Sequence, residues 1–186
     1  MIHTLLNLVV MLFPVSEVAL GVSHRARGAS VDDRGSMRML WIVILSSVAV
    51  AVVCSAYRPA RFHLSGGVRD SIALALIVGG LVLRWTSVMI LGRFFTVNVA
   101  IQNGHTLVEA GPYRYLRHPS YTGLLLAFIG LGVSLGSWLS VGVLAVPITL
   151  ALLRRIEVEE AALRRGLGEA YTTYCARTKR LIPGLL

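Results

Sequence analysis

From Tyr121 to Leu153, 33 consecutive residues pass without one charged side chain or histidine. As a single helix this run would overshoot a hydrocarbon core of roughly 30 Å by roughly 20 Å at 1.5 Å per residue. It therefore reads as a tight helical hairpin, broken near Gly136-Ser137, with Pro147 expected to kink its second arm. The whole 186-residue chain matches that character: 55% of it is hydrophobic, 15% is charged and its mean hydropathy is +0.72. An ordinary soluble domain of this size is far less apolar.

Three more runs precede the hairpin. Residues 2 to 22 and 39 to 57 are each about one bilayer in length, and 71 to 91 is interrupted only at Arg84. The expected fold is all-α: a polytopic membrane protein of about five transmembrane helices, the last two forming the hairpin. Ten of the 18 Lys and Arg residues lie at or beyond Arg93, and none falls in the hairpin turn. The positive-inside rule then places the C-terminus, and the loop of residues 23 to 38, in the cytoplasm. It also accounts for the net charge of +9 without a nucleic-acid partner. Beyond Arg154 the fifth helix should leave the membrane, break near Gly166 to Gly168 and give way to a short amphipathic helix on the cytoplasmic surface. No internal repeat or low-complexity linker is visible. One domain is expected over 1 to 186, with three spans in 1 to 91 and the hairpin and tail in 92 to 186. Cys54 and Cys175 are expected on opposite membrane faces, so no disulfide is.

Two polar blocks flank the hairpin, Asn98 to Tyr121 and Arg154 to Tyr174. Hairpin arms are antiparallel neighbours, so the blocks at their feet should converge. Arg155 and Glu159, spaced i, i+4, share a helix face, while Glu160 turns roughly 100° away. The pair reads either as an intrahelical salt bridge or as a guanidinium and a carboxylate held for a ligand. In GPYRYLRHPSYTG, residues 111 to 123, composition alone favours an interfacial segment. Arg114 and Arg117 would meet lipid phosphates, and Tyr113, Tyr115 and Tyr121 would form an aromatic belt. Arg84 reads as a snorkelling residue or a partner of Glu17. The five histidines lack metal-ligand spacing, so no metal is implied, and no nucleotide-binding glycine loop is present.

In order, VNVAIQNGHTLVEAGPYRYLRHPSYTG and RRIEVEEAALRRGLGEAYTTY resemble the isoprenylcysteine carboxyl methyltransferase family of integral membrane enzymes, over about residues 70 to 184. Both motifs match in internal spacing; the first two spans match only in being hydrophobic. The resemblance implies an S-adenosylmethionine-dependent O-methyltransferase with a cytoplasmic active site, acting on a lipophilic small molecule or prenylated substrate drawn from the bilayer. It carries Gln102, His105, Thr106, Leu107, Val108, Tyr113, His118, Pro119, Ser120, Tyr121 and Glu159 over as cofactor-binding residues. Arg155 becomes the substrate-binding and catalytic arginine. The run Glu157-Val158-Glu159-Glu160 departs from the more continuous acidic run of eukaryotic members.

A carboxylate acceptor, with a pKa near 4, needs no base at pH 7, whereas a phenol near 10 benefits from one. That base stays unassigned. Two other readings remain open at this point: a sterol-type membrane reductase using NADPH, and a non-catalytic membrane scaffold.

Overall fold

The structure, a computed structural model, describes residues 1–23, 35–95 and 106–182. Among these residues six α-helices follow in order: α1 (Ile2–Ser23), α2 (Ser36–Cys54), α3 (Gly66–Leu91), α4 (Pro119–Ser134), α5 (Trp138–Leu167) and α6 (Glu169–Arg177). Among the described residues there is no strand, only two isolated bridges. Helices α1, α2, α3 and α5 are long and apolar enough to cross a membrane, and α4 is apolar but shorter, at 16 residues. Outward-facing side chains such as Met11, Leu45, Val53 and Leu150 stay well exposed. Helices that satisfy their own backbone and present apolar side chains outward are what a lipid solvent requires.

The expected hairpin is present. Gly136, at φ 73°, makes the left-handed turn between α4 and α5, and its carbonyl accepts a 3.0 Å hydrogen bond from the Phe62 amide. Pro147 lies inside α5, which nevertheless runs as one helix of 30 residues. The break before the final helix falls at Gly168, also left-handed at φ 58°.

Burying leucine against leucine gains little in lipid, so close approach of backbones matters more to helix association. Helices α3 and α4 show this where they cross. A Cβ on Gly80 would sit 2.5 Å from the Gly123 carbonyl oxygen, and one on Gly123 would sit 2.7 Å from the Arg84 backbone nitrogen. Glycine at both positions permits the crossing, and Gly130, farther along α4, lies as close to Ala73 and Ile77 of α3. The crossing brings the start of α4, with Ser120, against Arg84 on α3. Elsewhere Phe13 of α1 meets Phe128 of α4 edge-on at 5.1 Å.

The two ends of the bundle are built differently. At the hairpin-turn end, Asp70 is held by His3 at 2.9 Å and by Arg69 at 2.8 Å, and Ser140 donates to the Ala51 carbonyl at 2.7 Å. These contacts close that end. The other end, where α3 finishes and α4 begins, is hollow.

Candidate active site

The start of α4 is held from three directions. The proline of His118-Pro119 opens the helix, where its missing N–H leaves nothing unsatisfied. The tail then straps the preceding segment: the Arg117 and His118 amides donate to the Lys179 and Arg180 carbonyls at 2.7 and 3.1 Å, and the Lys179 amide donates to the Tyr115 carbonyl at 3.2 Å. Thr122 adds a hydroxyl bond to the Leu181 carbonyl at 2.7 Å. Finally, Tyr174 of α6 donates to the Tyr113 carbonyl at 2.6 Å.

Glu160 anchors this assembly. Its side chain is 1% exposed and lies within 2.8 Å of Arg117 Nε, 2.9 Å of Arg180 Nη2 and 3.4 Å of Arg164 Nη2. Arg117 also donates to the Cys175 and Thr178 carbonyls. The interfacial reading therefore fails for Arg117, because partners inside the protein satisfy it better than lipid phosphate can. Tyr113 and Tyr121 leave the aromatic belt as well, since both line the cavity, whereas Arg114 and Tyr115 remain exposed.

The cavity counts about 1350 Å³ of non-protein space, its open mouths included. One wall is polar, with Glu17, Arg84, His118, Ser120, Glu159 and Tyr171; the other is apolar, with Leu40, Trp41, Ile44, Leu124 and Phe128. Arg84 is buried rather than snorkelling. It grips Glu17 through two 2.5 Å contacts, and its third nitrogen donates to the Ser120 hydroxyl at 3.0 Å. A buried charge has to be paired, and here the pairing also fixes a cavity-lining serine.

Glu159 faces the cavity with its side chain 31% exposed. Tyr121 donates to it at 2.9 Å and accepts from Arg155 Nε at 3.2 Å, so the tyrosine hydroxyl links the two residues that helical spacing had paired. Arg155 is 1% exposed, lies behind the lining residues and also donates to Ser36 at 2.7 Å. The His118 ring stacks on Tyr121 at 5.7 Å. Its Nδ1 is 4.0 Å from Glu159, and its Nε2 is 3.5 Å from the Glu160 carboxylate. Burial and the nearby Glu159 charge push the Tyr113 hydroxyl well above the usual phenol range. It is thus a neutral group at physiological pH.

Of the residues carried over from the resemblance, Leu107, Val108, Tyr113, His118, Ser120, Tyr121 and Glu159 share this one cavity. Thr106 is exposed and Pro119 buried outside its wall, and Gln102 and His105 lie outside the described residues. Sequence reasoning missed Glu160, dismissed as turned away, and the Tyr171 and Tyr174 pair. The i, i+3 spacing in AYTTY was the available signal for the tyrosines. Both cysteines are free, and no cluster of metal-ligating side chains occurs among the described residues.

The model of the isoprenylcysteine carboxyl methyltransferase family matches residues 73–165. The chain belongs to that family. The matched region covers most of α3, all of α4 and nearly all of α5, and so includes Arg84, His118, Ser120 and Glu159 of the polar wall. Protein-S-isoprenylcysteine O-methyltransferase B of Arabidopsis thaliana is 33% identical over 116 residues, 61% of this chain and 59% of that protein. The Xenopus laevis protein-S-isoprenylcysteine O-methyltransferase is 37% identical over 120 residues, 60% of this chain and 40% of that protein. A solved structure of the eukaryotic intramembrane Ras methyltransferase of this family superposes with a TM-score of 0.62 at 26% identity, covering 77% of this chain and 52% of that one. This family member thus spans about three fifths, or less, of the length of those relatives. Family membership favours neither the reductase nor the scaffold reading.

Proposed function

We propose that the chain is an integral membrane O-methyltransferase that uses S-adenosylmethionine to methylate a carboxylate or phenol on a lipophilic substrate, with its cavity and C-terminus facing the cytoplasm. The observation that carries this reading is the cavity's division into a polar wall, to which the two motifs contribute His118, Ser120, Glu159 and Tyr171, and an apolar wall from α2 and α4. A polar cofactor and a greasy acceptor need both walls at once. The donor set fits the cofactor, because the wall presents the Glu159 carboxylate, the Ser120 hydroxyl and the buried Tyr171 hydroxyl, which has no hydrogen-bond partner among the described residues.

Bound there, S-adenosylmethionine would supply an electrophilic methyl group on a sulfonium. Leu107, Val108, Tyr113, His118, Ser120, Tyr121 and Glu159 are the residues assigned to hold it, the carboxylate of Glu159 matching a cationic partner. The apolar wall would strip water from the acceptor oxygen and align it, the part of catalysis in which proximity contributes up to roughly 7 to 11 kcal/mol. Arg155 is assigned to the acceptor. Its guanidinium meets the cavity through the Tyr121 hydroxyl, which accepts from Arg155 Nε at 3.2 Å.

The test is methyl transfer from radiolabelled S-adenosylmethionine to a membrane lipid extract and to a prenylcysteine analogue, using the full chain in lipid nanodiscs. The wild type should yield labelled lipid, released by mild alkali if the product is a methyl ester and stable if it is an aryl ether. Arg155→Ala should lower transfer at least about tenfold, the cost of losing one charge-assisted contact. Wild-type rates in that variant would overturn the assignment of Arg155, and absence of saturable cofactor binding would overturn the function.

A further inference from the structure

Tyr171 and Tyr174 stand one turn apart on α6, both buried, at 2% and 3% exposure. Their hydroxyls meet different fates. Tyr174 donates to the Tyr113 carbonyl at 2.6 Å and approaches that of Leu116 at 3.3 Å. Tyr171 has no hydrogen-bond partner among the described residues, yet it lines the cavity beside Arg117, His118 and Glu159. Leaving a buried hydroxyl unmade costs free energy, and native proteins seldom do so without a ligand or water to complete it. Three buried side-chain polar atoms lack a hydrogen-bond partner among the described residues; His118 Nε2 faces the Glu160 carboxylate at 3.5 Å, and of the other two, on Ser137 and Tyr171, only Tyr171 is a residue of this cavity.

We infer that the Tyr171 hydroxyl is a further ligand-binding group of the site, donating a hydrogen bond to an acceptor atom of S-adenosylmethionine. This rests on the methyltransferase reading above. The cofactor, rather than the lipid, is the partner because the charged groups near the Tyr171 hydroxyl are Glu160, Glu159 and Arg117, whereas the apolar wall that suits a hydrocarbon chain is formed by α2 and α4. Burial first, and the neighbouring Glu160 charge second, hold the Tyr171 hydroxyl far above the usual phenol range. It stays protonated, so its role toward a ligand is that of donor.

Tyr171→Phe removes that one oxygen and keeps the ring. In the full chain in detergent, its dissociation constants for S-adenosylmethionine and for 5′-methylthioadenosine, which lacks the amino-acid end, would be measured by titration calorimetry beside its melting temperature. The expected result is about 5- to 10-fold weaker binding of S-adenosylmethionine with an unchanged or slightly raised melting temperature, since the lost hydroxyl had no partner in the protein. An equal loss for methylthioadenosine places the contact on the adenosyl part, and a loss confined to S-adenosylmethionine places it on the amino-acid end. Wild-type affinity for both, a raised KM for the lipid alone, or a fall in melting temperature without loss of affinity would overturn the inference. If the wild type bound neither compound, the methyltransferase reading would fail and take this one with it; binding by wild type and variant alike sinks only this one.

Discussion

Glu159 and Glu160 are adjacent on α5, yet they do opposite jobs. Glu160 is enclosed by three arginines, and two of them, Arg117 and Arg180, tie the segment before α4 and the tail to α5. Glu159 keeps much of its surface open to the cavity and is touched by one tyrosine hydroxyl. The pair on α6 repeats the contrast, with Tyr174 satisfied by backbone carbonyls and Tyr171 left open. A polar group saturated by its own protein builds the frame, and one left partly unsatisfied is available to a ligand. Burial alone does not separate the two classes; the partner count does.

Replacing the enclosed member should do the most damage. Glu160→Ala leaves Arg117 nearly buried without its carboxylate, and a loss of about 3 kcal/mol is expected after discounting the more exposed Arg164 and Arg180. Thermal unfolding in detergent reads it, and a variant as stable as wild type would erase the distinction. Glu159→Gln should instead weaken S-adenosylmethionine binding about tenfold while stability changes by less than about 1 kcal/mol. Calorimetric titration beside a melting curve separates those effects, and a stability loss matching that of Glu160→Ala would make the two glutamates equivalent.

The smallest effect belongs to Tyr174. Tyr174→Phe should cost about 1 kcal/mol, the worth of a buried hydroxyl bond. Burial, then the Glu109 charge, pushes this hydroxyl up from the ordinary 10 to about 12. Its protonated form is thus favoured in the folded state. That contribution is complete below pH 10 and disappears as pH rises through about 12. Melting temperature followed from pH 9 to 12 should therefore fall less steeply in Tyr174→Phe than in the wild type.

Much of the architecture was legible in hydropathy. The four long helices and the hairpin turn follow from runs of apolar residues whose length is set by the bilayer. The meeting of His118 and Tyr121 with Glu159 followed from the antiparallel geometry of a hairpin. What sequence could not show were contacts between residues with no shared period. Glu17 and Arg84 lie 67 positions apart on different helices, so their pairing could be offered only as one of two alternatives, with no helical spacing to choose between them. Glu160 was misjudged for a related reason. Helical geometry placed it on another face from Arg155, correctly, but that face is covered by the tail, which no local pattern on α5 reveals.

The strap formed by residues 179 to 181 fixes an order of events. During synthesis the hairpin can enter the membrane as soon as it is made, but the carbonyls that hold Arg117, His118 and Thr122 in place come some sixty residues later. The ribosome must deliver Leu181 before the doorway has its final shape, so a nascent chain lodges in the bilayer well ahead of becoming competent to bind.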